Sequence, residues 1–306
     1  MVNQIKWLRS DITYRTAIFE ALIIAEEPLR IGKGREELPL GASDLPVIRI
    51  KEVSRGIETP YIPGSSLKGV YRSASEQISK QYNVKPEPCS GLANNNCMAK
   101  NKQVYNKILE YIKKDGNEDT ALQMFEEVAC IICKLFGTQS YKSKIHFNDA
   151  YPFTDAEITV STGTKIGIAI DRTTGAAARG ALYNVEYVSP GSKFNLRIIM
   201  YNLPNYALGL ITQVTNMIDE GYIKLGGFKS RGFGKVRIDS QRMTIIHNSP
   251  YSGNDKTLKP LDGKDSEIIV SPTATDDNRL FFQKERLIEL SNKLWEAWKN
   301  YAASKG

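Results

Sequence analysis

Two groups of residues in this chain have types and spacings that suit chemistry. The first is 224-KLGGFKSRGFGKVRI-238, where four glycines and five basic residues (Lys224, Lys229, Arg231, Lys235, Arg237) share fifteen positions without an Asp or Glu. Glycines let a backbone approach a ligand closely and expose successive N–H groups, and added cations make such a surface a phosphate cradle. A nucleotide-binding loop of the G-x-x-x-x-G-K-[ST] or G-x-G-x-x-G kind needs a strand before it and a helix after it. Here a helix pattern precedes and a strand pattern follows, which leaves contacts to a polynucleotide backbone or a solvated turn. The second group is Cys89, Cys97, Cys130 and Cys133. CIIC has the spacing of half a tetrathiolate zinc site, with Cys89 and Cys97 as a wider second half; buried or free thiols are the alternative. A redox CxxC would need a thioredoxin-like βαβ context, which is absent.

Composition frames both groups. The chain has 306 residues, 41% apolar and 25% charged, enough for a buried core. No apolar run approaches the roughly 20 residues that cross a bilayer, and MVNQIKWLRSD lacks a signal peptide's apolar segment, so a cytoplasmic protein without a membrane partner is expected. A net charge of +7, from 41 basic and 34 acidic residues, favours anionic partners such as nucleic acid. In a reducing cytosol, four cysteines point to metal before disulfides.

The positioning elements follow from periodicity. YRTAIFEALIIA at 14–25 reads as a strand, and a loop of about forty residues, long enough to imply a job, leads to 60-PYIPGSSLKG-69. Leu67, Val70, Tyr71, Ala74 and Ile78 then space an amphipathic helix capped by Ser65 or Ser66. Residues 84–144 read as a helical insertion, with helices near 102–114 and 118–134. Strand patterns return at 145–170 and 181–201, with the small, basic 171-DRTTGAAARG-180 between them; 206–219 is an amphipathic helix and 233–247 a strand. This order predicts an α+β fold with a ferredoxin-like, RNA-recognition-motif-like βαββαβ core. The expected organisation is an RNA-binding domain over 1–248, a polar linker over 249–278, and a C-terminal helix over 279–306 that packs on its own domain or on a neighbouring subunit.

Taken together, 61-YIPGSSLKGVYRS-73, 171-DRTTGAAARGALYNVEYVSPGSKF-194 and 226-GGFKSRGFGKV-236 resemble the RAMP superfamily of CRISPR-associated proteins, and within it the backbone subunits of type III effector complexes. The resemblance covers residues 14–246, with the motifs in the family's order. It implies a modified RNA-recognition fold that polymerises along a CRISPR RNA, beside other copies of itself, other type III subunits and the target RNA. It assigns Ser65, Ser66, Lys68 and Arg72 to guide phosphates, a role suited to hydroxyls and N–H groups at a helix start with two cations one turn apart. It makes 171–180 the tip of a thumb hairpin that wedges into the guide–target duplex, with Arg172, Thr173 and Arg179 at the backbone and small side chains against base faces. Lys229, Arg231 and Lys235 in the glycine loop, and Arg30, Lys33 and Arg49 in the loop after the first strand, complete the expected RNA-binding set. Related subunits carry Cys/His clusters before a (K/R)LFG segment, here 134-KLFG-137, in keeping with structural zinc.

Asp44 in GASDLPVIR resembles the family's GxxDxPVI loop, whose aspartate is required for cutting target RNA. RNA carries its own nucleophile, the 2′-hydroxyl beside the scissile phosphate. One carboxylate that recruits Mg²⁺ or Mn²⁺ can align it and stabilise charge. An exposed carboxylate with a pKa of about 4 is a poor base by itself, and a turn-forming aspartate before Leu-Pro is the other reading. The resemblance thus implies a guide-binding subunit that is also a metal-dependent endoribonuclease acting through Asp44. A non-catalytic RNA-binding subunit and a precursor-processing ribonuclease are the alternatives; His146 and His247, in strand-like segments outside the motif loops, give the latter little support.

Overall fold

Alternation along the first strand, β1 (Arg15–Ala25), sends Ala17, Phe19, Ala21 and Ile23 into the core and leaves Ile18, Glu20 and Ile24 partly exposed. The computed structural model describes residues 6–32, 44–52, 56–92, 94–113, 117–138, 140–153, 160–248 and 256–305, without the side chains of residues 169 and 177–181. After β1 come the hairpin of β2 (Arg49–Glu52) and β3 (Ile57–Pro60), and the helix α1 (Gly64–Gln81). The insertion holds α2 (Cys97–Lys100), α3 (Lys102–Ile112), α4 (Glu118–Val128) and α5 (Ile131–Phe136). Then follow β4 (Ile145–Phe147), β5 (Thr162–Ile170), β6 (Ala177–Val188), β7 (Lys193–Tyr201), α6 (Asn205–Asp219) and β8 (Val236–His247). Short strands β9 (Thr257–Leu258), β10 (Ile268–Ile269), β11 (Ala274–Asp276) and β12 (Arg279–Phe282) precede α7 (Lys284–Ala303).

One six-stranded antiparallel sheet runs in the order β11, β12, β8, β1, β7, β4, so the class is mixed α and β, as expected. β5 and β6 form a separate two-stranded hairpin between β4 and β7. α1 and α6 pack side by side against the sheet: Tyr71 donates or accepts a bond with Thr215 at 2.9 Å, and its ring lies 4.9 Å from that of Phe147. α6 is buried on nearly all sides because α7 covers it. A Cβ at Gly209 would stand 2.0 Å from the Leu294 carbonyl oxygen, and Tyr206 stacks on Tyr301 at 3.9 Å.

Three expectations are corrected. The helix expected near 118–134 breaks at Ala129 and Cys130, both extended, which turns Cys130 and Cys133 inward together. The segment expected as a linker is part of the body over residues 256–278. Leu258, Leu261, Ile268 and Val270 are buried, and β11 borders the sheet. Its polar composition misleads because two of its acids face inward: Asp262 accepts the Tyr206 hydroxyl at 2.6 Å, and Asp265 accepts the N–H of Asn205 at the start of α6. Residues 279–282 are strand β12, and only after them does the expected helix begin, packed on its own body. Among the described residues no helix is long and apolar enough to cross a membrane.

Candidate nucleic-acid interface

Asp44 is exposed, and its Oδ2 accepts the backbone N–H of Asn184 on β6 at 2.7 Å. Leu45 continues the contact: its N–H donates to the Asn184 carbonyl, and its carbonyl accepts the Glu186 N–H, both at 3.1 Å. The loop therefore runs parallel to β6 as a short extra strand. Glu186 closes the hook with its side chain, accepting the Val47 N–H at 2.9 Å and Arg49 Nη1 at 3.0 Å, with Arg49 Nη2 on its other oxygen. Burial opposes ionisation of Glu186, but the bonds from Arg49 and Val47 hold its carboxyl below the ordinary glutamate value, and Glu186 in turn makes Arg49 more basic. Asp44 keeps its second oxygen without a partner among the described residues.

Arg30 joins this loop to the glycine-rich one. Its Nε donates to the Leu45 carbonyl at 3.3 Å, its own carbonyl accepts the Gly227 N–H at 2.9 Å, and its guanidinium carbon lies 5.5 Å from the centre of the Phe228 ring. Only glycine fits at 226, where φ is +74° and a Cβ would stand 2.2 Å from the Arg30 carbonyl oxygen. Between this loop and α1 runs a groove of about 410 Å³ lined by Arg30, Gly32, Ser66, Ser73, Gly226 and Lys229, among others.

The start of α1 differs from expectation. The helix begins at Gly64 after Pro63, and neither serine caps it. Instead Gly64 N–H donates to Asp149 Oδ1 at 2.7 Å, while the N–H groups of Ser66 and Leu67 turn back to the Pro63 carbonyl at 3.0 and 3.2 Å. A carboxylate already serves the positive end of the helix, leaving Ser66 to line the groove. Ser65 is exposed nearby. Lys68 is partly buried, and desolvation, then the charge of Arg72, makes it less basic. Arg72 points elsewhere: its Nη1 donates to the Gly137 carbonyl at 3.3 Å, within the insertion.

The basic loop is less naked than its sequence suggests. Lys224 pairs with Glu27 at 2.8 Å, Lys235 with Glu26 at 2.8 Å, and Arg237 approaches Glu26 at 4.0 Å. Glu27 lies 197 positions from Lys224, a distance at which no local pattern reveals the pair. Lys229 and Arg231 have no carboxylate partner among the described residues. At the hairpin tip, Asp171 accepts the N–H groups of Thr173 and Thr174 at 2.7 and 3.1 Å, an Asx turn that leaves Arg172 exposed. Lys33 and the Arg179 side chain lie outside the described residues. The structure thus gathers Arg30, Ser66 and Lys229 at one groove, and gives Arg49, Arg72 and Lys235 partners within the protein.

All these segments fall inside one family match: the model of the RAMP superfamily covers residues 23–237, from within β1 into β8. The chain belongs to the RAMP superfamily. It is 27% identical over 259 residues to the "CRISPR system Cms endoribonuclease Csm3" of Methanocaldococcus jannaschii, covering 81% of this chain and 89% of the relative. It is 26% identical over 242 residues to the protein of the same name from Methanothermobacter thermautotrophicus, covering 70% and 80%. The segment that completes the sheet beyond β8 lies outside the RAMP match.

This RAMP chain also brings its four cysteines together. Their sulfur atoms all lie within 4.8 Å of one another and are buried. Cys89 Sγ is 3.8 Å from Cys97, 3.7 Å from Cys130 and 3.2 Å from Cys133. A tetrahedron with Zn–S near 2.3 Å has edges of about 3.8 Å, so the donor set fits a closed metal site. The N–H of Cys130 donates to Cys97 Sγ at 3.3 Å, support that a thiolate ligand needs. Crowding couples the thiols: the bond with Cys130 lowers Cys89, and the same neighbour raises Cys133. Both histidines are away from the groove loops. His146 lies edge-on to Tyr201 at 5.1 Å, and burial lowers the buried His247 to about 4.

Proposed function

We propose that the chain is a CRISPR RNA-binding backbone subunit of a type III effector complex and that it cuts guide-paired target RNA at Asp44. Two relatives named as CRISPR endoribonucleases support the class of activity. The observation that carries the site is the hook of Asp44 onto β6, one residue from the Leu45 carbonyl that Arg30 binds at the edge of the groove. A guide lying in that groove would bring its paired strand to a carboxylate whose loop is held through the backbone of Leu45 and Val47 and the side chain of Arg49.

Within this reading, β1, α1, β4, β7, α6 and β8 are the ferredoxin-like βαββαβ core, since the sheet order β8, β1, β7, β4 is the one that fold requires. The β5–β6 hairpin is the thumb, the groove binds guide phosphates through Arg30, Ser66 and Lys229, and successive copies line up along the RNA in the cytoplasm. Zinc at the four cysteines pins the insertion to the body.

Asp44 suits a hard divalent cation: it is exposed, one oxygen is fixed by Asn184 and the other is open, and Mg²⁺ commonly takes one carboxylate together with substrate phosphate and water. Bound Mg²⁺ or Mn²⁺ would supply Lewis-acid stabilisation of charge on the scissile phosphate. The chain itself holds the carboxylate in place through Asn184 and Glu186. The groove cations hold the neighbouring backbone so that a 2′-hydroxyl can approach its phosphate in line. In the assembled complex, Asp44→Ala is expected to abolish regularly spaced cuts in a guide-complementary RNA while leaving RNA binding intact, and EDTA should do the same to the wild type. Unchanged cutting by Asp44→Ala would move catalysis to another subunit and leave this chain a scaffold for the guide.

A further inference from the structure

Phe228 stands on a left-handed backbone, with φ 58° and ψ 27°, a conformation that bulky residues rarely adopt and that a fold maintains only where neighbouring structure enforces it. The enforcement comes from Arg30, whose carbonyl holds Gly227. The result is an aromatic ring that is only half buried. It lies near parallel to the ring of Tyr183 on β6, with centroids 6.5 Å apart and 24° between planes, and leans on the buried Phe233 at 5.7 Å.

Tyr183 is laid against the hairpin by a matching device. Its cross-strand partner is Gly167, where a Cβ would come within 2.2 Å of the tyrosine ring; Gly163 gives Tyr187 the same clearance, at 2.7 Å. Cations surround the rings. The guanidinium carbons of Arg30 and Arg231 lie 5.5 and 5.6 Å from the Phe228 centre, Lys165 Nζ lies 5.2 Å from the Phe233 centre, and Arg231 donates to the Tyr183 hydroxyl at 2.7 Å. No carboxylate among the described residues pairs with Arg30, Lys165, Lys229 or Arg231. Gly227 and Lys229, on either side of Phe228, line the polar groove together with Arg30. Partly buried aromatic rings edged by cations without carboxylate partners, next to a polar groove, are the combination that stacks unpaired bases with little regard to their identity.

We propose that Tyr183 and Phe228 form a seat for one unpaired nucleobase, its flanking phosphates lying in the groove between α1 and the glycine loop. The proposal rests on the RNA-binding reading above and adds a base contact to it. The test compares the full chain's affinity for a short oligouridylate and for an abasic ribose-phosphate oligomer of equal length and charge, by fluorescence anisotropy over a salt series. The wild type is expected to prefer the base-bearing oligomer by about 5- to 150-fold, the range for one base on an aromatic ring. Tyr183→Leu and Phe228→Leu should lose that preference while binding the abasic oligomer, with its salt dependence, as the wild type does. Phe228→Gly, which accepts the left-handed backbone, repeats the test without backbone strain.

A preference that persists in all three variants overturns the seat. So does salt-dependent binding of both oligomers by the wild type with no preference, which leaves the RNA-binding reading standing. Absence of salt-dependent binding to either oligomer overturns both. Variants that keep the preference but no longer self-associate on a sizing column would assign the rings to contact between copies and overturn the seat.

Discussion

Around Asp44, segments far apart in sequence are joined by hydrogen bonds: Asn184 and Glu186 clasp the loop, Arg30 ties it to the glycine loop, and Phe228 is held half exposed on a left-handed backbone. Beneath α7 the joining is apolar. Trp298, Leu294 and Leu290 are buried against α6, and Tyr206 stacks on Tyr301 inside the same layer. Burial scales with area and tolerates small shifts, whereas a polar clasp depends on individual donors and acceptors and loses a bond outright when one is removed. The candidate site can therefore be dismantled without melting the body, and the body weakened without altering the site's chemistry.

The largest effect is expected at the insertion that carries the four cysteines. Stripping metal with a strong chelator, or Cys133→Ser, is expected to unfold the α2–α5 insertion, since structural zinc contributes on the order of 10 kcal/mol to small sites. Circular dichroism on heating and metal content per chain read this; an unchanged melting curve from a metal-free preparation would remove zinc from the account. Next comes Trp298→Ala, which should cost about 3–5 kcal/mol and lower the thermal midpoint, while the folded protein binds RNA as before. The clasp is broken by Glu186→Gln, for which cutting per bound RNA should fall about 10- to 100-fold with RNA affinity and melting little changed. If affinity falls instead, Glu186 and Arg49 serve the guide rather than Asp44. The smallest contrast lies within the glycine loop. Lys229→Ala should lower the slope of log affinity against log salt by about 1, and Lys235→Ala by less, because Glu26 already pairs with Lys235.

Much of the frame was legible. β1, α1, α6 and β8 follow from periodicities of two and of three to four, which report which face is buried. The motif segments could be placed on a loop, a helix start and a hairpin because glycine, proline and serine mark such places. What stayed hidden was the set of hydrogen bonds and ion pairs that polar side chains make across the chain. Pro63 precedes α1 and Pro204 precedes α6, and each helix start takes its carboxylate from elsewhere, Asp149 and Asp265, where local capping rules suggested Ser65 or Ser66. Glu26 and Glu27 neutralise lysines far along the chain. Asp262 and Asp265 made a buried segment look like a linker, since composition does not tell which way an acid faces. The grouping of Arg30, Ser66 and Lys229 could be anticipated from the motifs; Glu186 could not, because a lone acid in a strand has no signature until its partner is in place.

The position of β1 also governs when the molecule can form. This strand, made early, lies between β7 and β8, and its pairing with β8 joins Arg15 to His247. β1 cannot complete its pairing on both sides before residue 247 has been made, whereas the helices of the insertion lie close together in sequence. Long loops must be closed before distant pairings reward them, so the sheet is expected to be the slow step. During translation the chain would carry a nearly finished helical insertion beside an unpaired apolar strand, an exposed edge of the kind that chaperones bind.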